Sequence, residues 1–292
     1  MQTLELPKLP LRRVYPKITP EFDPHRPSAR MFWEFCAIRM DEWHNRNAGL
    51  GPPYTADPAL QRYVGDIPNV FRELDEPNIY LHKYIDGQGT AVALFGAVAF
   101  RLTNQICIHD GFGGVPRPEQ LEAWRAYFYK ARMMGVKAFT RIFQTPSTTQ
   151  YFETLEELVG NLPLLVPMID ESKDMKEGYY NIQKINRVRN FFAWQVMADM
   201  LEAKAVNWDE NSWCYLGPGP LHALGLMYNR KFTQKEAMVY AKRLHEVQHR
   251  ALANTQVPYR LPPGYKELTL KNIEHALCEY YRWVKAHWRI TT

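Results

Sequence analysis

The sequence predicts a mainly α-helical protein built as a single multi-helix domain. Apolar residues recur at spacings of three and four along most of the chain, as they do in amphipathic helices. Only residues 136–143 alternate in the manner of a strand, and one strand cannot form a sheet. No internal repeat and no Gly- or Ser-rich linker divides the 292 residues.

Residues 1–30 form a different segment, because proline at positions 7, 10, 16, 20, 24 and 27 forbids a regular helix. We predict an extended Pro-rich arm over residues 1–30 and a helical catalytic domain over residues 31–292. The arm either packs on the body of the protein or binds phosphate groups through its basic residues, which are Lys8, Arg12, Arg13, Lys17, Arg26 and Arg30.

The first predicted helix begins at Met31 and ends at Asn47, with an apolar stripe that includes Phe32, Phe35, Cys36, Met40 and Trp43. Asp57 followed by Pro58 is a favoured helix start and predicts a short helix to residue 63. A helix over residues 68–84 follows, which Pro77 can break. Further helices are predicted over residues 90–102, 118–134, 151–159, 181–205, 233–253 and 269–287.

Composition excludes some classes of protein. The longest weakly polar stretch, residues 90–100, is shorter than the roughly 20 apolar residues of a membrane span. The N-terminus lacks the pattern of a secretory signal, so we expect a cytoplasmic protein without membrane contact. The four cysteines lie 64 or more residues apart, which argues against a C-x-x-C pair and a disulfide framework. A net charge of +5, with arginine as 21 of the 36 basic residues, is compatible with nucleic-acid binding.

Three polar residues, Asn69, Arg72 and Asp75, follow one another at spacings of three. On a continuous helix this spacing places an amide, a guanidinium and a carboxylate on one face, where they suit a polar ligand. The alternative is an Arg72–Asp75 surface pair beside an unrelated Asn.

A glycine-rich turn precedes an apolar helix at residues 213–225. Gly217 and Gly219 allow close approach of the backbone, and a helix start near His222 can hold a phosphate of DNA. The segment also reads as an ordinary helix connector, because Pro218 and Pro220 each lack an N–H donor.

Acidic residues occur among apolar ones near the C-terminus, at Glu274 and Glu279, and Gln195 and Asp199 lie on a preceding helix. Buried carboxylates need partners, and arginines are the obvious ones. We predict a packing role for Cys278, because its acidic neighbours disfavour a thiolate.

The sequence His245-Glu246-x-x-His249 matches the H-E-x-x-H pattern of zinc peptidases, for which Glu274 can supply a third ligand. Lys242, Arg243 and Arg250 instead indicate a solvated helix face. We therefore assign no metal, and a zinc-dependent hydrolase remains an alternative.

Several motifs occur together in a fixed order along the chain. They are Arg39 and Arg46 with Gly49, Tyr54-Thr55-x-Asp57-Pro58, Asn69-Val-Phe-Arg72-x-x-Asp75, Gln195-Val-Met-Ala-Asp199, Gly217-Pro-Gly219 and Ile273-Glu274-x-x-Leu277-Cys278-Glu279. This ordered set resembles the alpha-glutamyl/putrescinyl thymine pyrophosphorylase family, whose members are similar to the helical domain of 5-hydroxymethyluracil DNA kinases.

The resemblance implies a transferase of bacteriophage DNA hypermodification. Such an enzyme places an amino acid or amine on phosphorylated or pyrophosphorylated 5-hydroxymethyluracil and displaces the (pyro)phosphate. The implied partners are double-stranded phage DNA and a free amino acid or amine, and the implied location is the host cytoplasm. The resemblance also implies a DNA-glycosylase-like fold with a helix-hairpin-helix element at Gly217, Gly219 and His222. Where such glycosylases have a catalytic aspartate, this chain has Gln234 and Glu236.

The chemistry of that transfer predicts roles for the motif residues. A leaving phosphate needs cations such as Arg39, Arg46 and Arg72. The attacking amine needs a carboxylate to take its proton, and Asp75, Asp199 and Glu279 are the candidates. We predict that Thr55, Asp57, Asn69 and Gln195 contact the substrate. A base flipped out of the duplex suits a pocket lined by residues such as Trp43, Tyr54 or Phe71.

No cofactor is needed for this scheme. The sequence leaves open the amine, the leaving group and whether displacement is direct or passes through elimination. A non-catalytic DNA-binding module also remains an alternative.

Overall fold

A computed structural model describes residues 27–62, 68–140 and 146–291 of the protein. The described residues are 67% helical and contain no strand, which confirms the predicted fold class. Two short 3-10 helices lie at Arg72–Leu74 and Pro118–Gln120. The described part of the chain contains twelve α-helices, which are α1 (Ala29–Asn47), α2 (Pro58–Arg62), α3 (Glu76–Ile85), α4 (Thr90–Thr103), α5 (Ile106–Phe112), α6 (Leu121–Met133), α7 (Thr148–Asp170), α8 (Met175–Ile182), α9 (Asn190–Glu202), α10 (Pro218–Tyr228), α11 (Gln234–Leu252) and α12 (Leu270–Thr291).

The chain forms two compact units. The first unit contains Met1–Arg72 and Leu216–Thr292, and the second contains Glu73–Tyr215. The prediction of one catalytic domain over residues 31–292 stays a prediction, and most of the predicted arm, residues 1–26, lies outside the described residues.

The core of the first unit forms where α1 packs against α12. The hydroxyl of Ser28 accepts a hydrogen bond from the backbone N–H of Met31 and begins α1. Phe35 lies 5.4 Å from Trp283, and Phe32 lies 5.7 Å from Tyr280 between ring centroids. The predicted apolar stripe of α1 is therefore confirmed as core from Phe32 to Met40, while Trp43 is half-buried.

The core of the second unit surrounds α4, which packs against α3, α7 and α9. Tyr151 on α7 links two neighbours, because its hydroxyl donates to the Ala99 carbonyl at 3.1 Å and accepts from Trp124 Nε1 at 2.9 Å. Among the described residues, no helix is both long and apolar enough to cross a bilayer.

Several predicted elements differ from the structure. The strand prediction is wrong over residues 136–140, which are irregular, and residues 141–143 lie outside the described ranges. Helix α7 extends past Pro163 and Pro167, because the flanking Leu162, Leu165 and Ile169 are buried and hold it in place. Helix α9 begins at Asn190 rather than near residue 181, and α5 and α8 were not predicted.

Candidate functional site

The clearest concentration of buried polar side chains in the first unit lies at the start of α12. A helix on a protein surface ordinarily buries one face and keeps its charged residues in water. Here Lys271, Asn272, Glu274 and His275 are all 9% exposed or less. Burial of charged groups costs free energy unless they have partners, and these four side chains have polar or electrostatic partners within the fold. The start of α12 is therefore a concentrated polar region, and we treat it as a candidate site.

A second group of buried polar side chains in the first unit lies on α1, where Arg39 and Glu42 form a buried ion pair. The Arg39 Nη1 atom is 3.1 Å from Glu42 Oε2, and Arg39 Nε donates to the Pro68 carbonyl at 3.2 Å. Burial raises the pKa of Glu42, and the nearby Asp57 carboxylate acts in the same direction, while Arg39 and Arg46 oppose the shift. Arg46 itself is exposed, with its guanidinium 5.6 Å from the centre of the Tyr54 ring.

The raised pKa of Glu42 predicts a pH dependence of stability. A carboxyl whose pKa is higher in the folded state stabilises the fold fully below its ordinary value of 4.5, and this contribution is lost as pH rises through the raised pKa. We expect Glu42→Gln to remove this component, so that the difference in stability between variant and wild type changes in favour of the variant from pH 4 to pH 7. Urea unfolding across this range measures it, and a constant difference contradicts the prediction.

Thr55 and Asp57 lie in the loop before α2 and at its start, and both are buried. Asp57 Oδ1 accepts from the Leu60 N–H at 2.8 Å, which confirms the predicted helix cap. Thr55 Oγ1 accepts from the Asp57 N–H at 3.1 Å. The second oxygen of Asp57 is 2.8 Å from His287 Nε2 on α12. Within the first unit, this pair links the N-terminal part of the chain to the C-terminal helix α12.

The prediction that Asn69, Arg72 and Asp75 share one helix face is wrong. Asn69 lies before the helical segment, and its Oδ1 accepts from the Phe71 N–H at 2.9 Å, which forms a turn instead of a helix. Arg72 begins a 3-10 helix and is 2% exposed, whereas Asp75 precedes α3 and belongs to the second unit.

Glu279 lies on α12 and accepts a hydrogen bond from Arg282 Nη1 at 2.8 Å. The neighbouring Cys278 thiol has a pKa raised by burial and further raised by Glu279 and Glu274, as its acidic neighbours predicted. A Cβ atom added to Gly219 would lie 2.6 Å from Cys278 Sγ. Gly219 therefore allows α10 to approach α12 closely.

We expect Gly219→Ala to cost roughly 1–3 kcal/mol of stability, because the added methyl group overlaps Cys278 Sγ. Removing the sulfur in Gly219→Ala/Cys278→Ala should recover part of this loss. The matched control is Gly160→Ala on α7, where the new Cβ meets open space. Thermal unfolding of wild type, these variants and Cys278→Ala alone measures the coupling. If Gly219→Ala costs as much stability in the Cys278→Ala background as in wild type, the packing argument is wrong.

The residues predicted to bind DNA surround the start of α10. Gly217 caps this helix, Gly219 lies in its first turn, and the exposed His222 ring stacks on Tyr281 at 5.1 Å. Their role in DNA binding stays a prediction.

In the second unit, Asp199 and Arg101 form a fully buried pair. Arg101 donates through Nε and Nη2 to the two carboxylate oxygens of Asp199, both at 2.7 Å. Arg101 Nη2 also donates to Asn78 Oδ1. Asp199 is 0% exposed, and Gln195, one turn earlier on α9, is 6% exposed. The sequence predicted both α9 residues but not Arg101 or Asn78.

One group of potential metal ligands occurs among the described residues. His82, Asp199 and Glu202 each offer a ligand atom, and these atoms lie within 4.8 Å of one another. Because Asp199 already binds the Arg101 guanidinium, a divalent cation here would meet a fixed positive charge. Within this group, His82 Nε2 lies 3.4 Å from Glu202 Oε2. We propose no metal at this group.

The H-E-x-x-H motif lies on α11. His245 Nε2 is 3.5 Å and His249 Nε2 is 3.3 Å from the two oxygens of Glu267. The carboxylate at the two imidazoles is therefore Glu267, whereas the predicted third ligand Glu274 is buried in α12. His249 and Glu246 are exposed, in keeping with a solvated face.

The structure assigns the predicted site residues to two separate units. The first unit contains Arg39, Arg46, Thr55, Asp57, Asn69, Arg72, Gly217, Gly219, His222 and Glu279, and the second contains Asp75, Gln195 and Asp199. Besides Arg101 and Asn78 of the second unit, the sequence did not predict the buried residues Glu42, Lys271, His275 and His287 of the first unit. Of these residues, Glu42 could have been found from the sequence. It lies three residues after Arg39 and four before Arg46, and a helix places side chains at these spacings on one face.

A family model described as 5-hmdU DNA kinase, helical domain, matches residues 26–292. The match confirms the similarity to the helical domain of 5-hydroxymethyluracil DNA kinases that the motifs predicted. Searches of curated proteins and of solved structures found no significant match.

Proposed function

The chain belongs to the family of 5-hmdU DNA kinase helical domains, and from this premise we propose that it transfers an amino acid or amine onto 5-hydroxymethyluracil in DNA. Membership associates the chain with 5-hydroxymethyluracil DNA modification. In the proposed reaction the base carries a phosphate or pyrophosphate on its 5-hydroxymethyl group. This group is displaced by the incoming nitrogen.

The observation that carries the proposal is the set of buried cations and carboxylates in the first unit. The carbon–oxygen bond to the phosphate breaks with its electron pair on oxygen, a nitrogen–carbon bond forms, and the amine loses a proton. Arg39 and Arg72 are buried guanidiniums suited to the charge on the leaving phosphate. Glu279 and Glu42 are buried carboxylates suited to the proton.

The other proposed residues follow from the family resemblance. Asp75 and Asp199 remain candidate bases, although both oxygens of Asp199 accept hydrogen bonds from Arg101, which lowers their availability to an amine. Arg46, Thr55, Asp57, Asn69 and Gln195 remain candidate substrate contacts.

A flipped base is the proposed substrate, and double-stranded DNA is the proposed partner. Trp43 and Tyr54 are half-buried and can present a ring to a base, whereas Phe71 is fully buried and packs on Tyr265 at 4.6 Å. This favours Trp43 and Tyr54 for stacking.

The test supplies DNA that carries phosphorylated or pyrophosphorylated 5-hydroxymethyluracil, together with mixed amino acids and putrescine. After digestion to nucleosides, mass spectrometry should show a heavier thymidine analogue. DNA with the unphosphorylated base is the control and should give none. If neither activated substrate yields a new nucleoside with any amine, the proposal is wrong.

The zinc hydrolase alternative has one structural observation in its favour, which is the Glu267 carboxylate that faces both His245 and His249. Metal analysis of the purified protein separates the two functions. Stoichiometric zinc that is lost in His249→Ala would favour the hydrolase.

A further inference from the structure

The turn between α10 and α11 and the adjoining part of α11 carry an excess of positive charge. Residues 228–243 contain five basic residues and a single acidic one, Glu236. The five basic residues are all exposed, and they are Arg230, Lys231, Lys235, Lys242 and Arg243. We call these five residues, with the three aromatic residues described next, the α10–α11 basic surface.

Three aromatic rings support the basic side chains. Tyr240 packs edge-on against Tyr228 at 4.7 Å and against Phe232 at 4.9 Å between ring centroids. The Arg230 guanidinium lies 4.2 Å from the centre of the Phe232 ring and 5.3 Å from that of Tyr240, and Arg243 lies 5.3 Å from Tyr240. A guanidinium stacked on a ring keeps its N–H edges available and loses less conformational freedom when it binds an anion.

The single carboxylate does not neutralise this surface. Glu236 accepts hydrogen bonds from the N–H and the hydroxyl of Thr233, and these bonds lower its pKa and hold it at the start of α11. Among the described residues, its ion-pair partner is Arg230, at 3.2 Å. Within the described residues, no carboxylate lies at ion-pair distance from Lys231, Lys235, Lys242 or Arg243.

The lysines of α11 also share a direction. Lys235, Val239 and Lys242 follow at spacings of four and three, which places them along one face of the helix. Val239 is 47% exposed and Tyr228 is 38% exposed, so apolar surface lies open to solvent between the charges. A row of cations with interleaved aromatic and apolar groups fits a polyanion of regularly spaced charges.

We propose that the α10–α11 basic surface binds the phosphate backbone of double-stranded DNA. The inference rests on the proposed function, in which DNA is the substrate, and it identifies where the duplex is held. This surface differs from the predicted contacts at Gly217, Gly219 and His222. Its contacts are to phosphates, so they hold the duplex without reading its sequence.

The test compares wild type with the variant Lys231→Ala/Lys235→Ala/Lys242→Ala. Fluorescence anisotropy with a labelled, unmodified duplex measures affinity from 50 to 300 mM salt. Each lost phosphate contact lowers the salt slope by about 0.9, so we expect the slope to fall by about 2 to 3. Affinity at 0.1 M salt should weaken roughly tenfold to a hundredfold. The Lys→Arg version of the same variant should bind as wild type does.

The matched control is Lys130→Ala/Lys173→Ala/Lys176→Ala, which removes three exposed lysines of the second unit. It makes the same change in net charge, and we expect a much smaller loss of affinity. Equal losses in both variants, with thermal unfolding unchanged, overturn the assigned surface. If wild type binds and modifies DNA while the first variant binds equally well, only the surface is wrong. If wild type binds no DNA, the proposed function fails as well.

Discussion

Replacing Arg39 with Gln is expected to lower the rate of amine transfer by roughly a hundred- to a thousandfold. Arg39 is 5% exposed and is held by the Pro68 carbonyl on one side and by Glu42 on the other. A fixed guanidinium in a dry site stabilises charge on a leaving phosphate without rearranging in the transition state. The rate of nucleoside formation on phosphorylated 5-hydroxymethyluracil DNA, measured by mass spectrometry, gives the effect.

A loss of folding could imitate this result, because Arg39→Gln leaves the Glu42 carboxylate buried beside one fewer cation. The double variant Arg39→Gln/Glu42→Gln removes the charge of both partners and should recover stability. Because Glu42 is also a proposed proton acceptor, the rate of the double variant is compared with that of Glu42→Gln alone and should be far lower. Arg250→Gln, an exposed arginine on α11, is the control for the loss of an arginine. If the double variant transfers the amine as fast as Glu42→Gln alone, Arg39 supports the fold and does not act on the phosphate.

The helices that the sequence predicts well are those whose apolar periodicity is continuous and local. Helix α11 was expected over residues 233–253 and spans Gln234–Leu252, with the Thr233 hydroxyl accepting from the Glu236 N–H at its start. The same periodicity wrongly predicts a helix over residues 68–75. There the Asn69 side chain accepts a hydrogen bond from the backbone N–H of Phe71 and forms a turn. Periodicity does not detect such local competition.

The candidate site shows a different limit. The sequence predicts Arg39, Asp57 and Glu279 as site residues, and the structure shows that all three are buried. Such residues can be recognised from the sequence because they are polar residues among apolar ones. Their partners are not visible in this way. His287 is 230 residues from Asp57, and Arg101 is 98 residues from Asp199, so no spacing rule connects them. Which charged residues pair depends on how the helices pack in the folded protein.

The largest expected loss of stability follows Arg101→Met, at roughly 3–5 kcal/mol for a broken buried ion pair. Asp199 is 0% exposed, and both of its oxygens accept hydrogen bonds from Arg101. Met fills most of the volume of the arginine stem but leaves the carboxylate charged in a dry environment. Urea unfolding followed by tryptophan fluorescence measures the loss, because Trp194 lies on α9 close in sequence to Asp199.

The size of this loss depends on the charge that is left behind and not on the contact that is removed. Arg101→Met/Asp199→Asn removes that charge and should therefore be more stable than Arg101→Met alone, although it contains one more substitution. Arg132→Met, at an exposed arginine on α6, is the matched control and should cost less than roughly 0.5 kcal/mol. If the double variant is less stable than Arg101→Met, other groups stabilise the Asp199 carboxylate when Arg101 is absent. The Arg101–Asp199 pair is then not the interaction that holds α4 against α9.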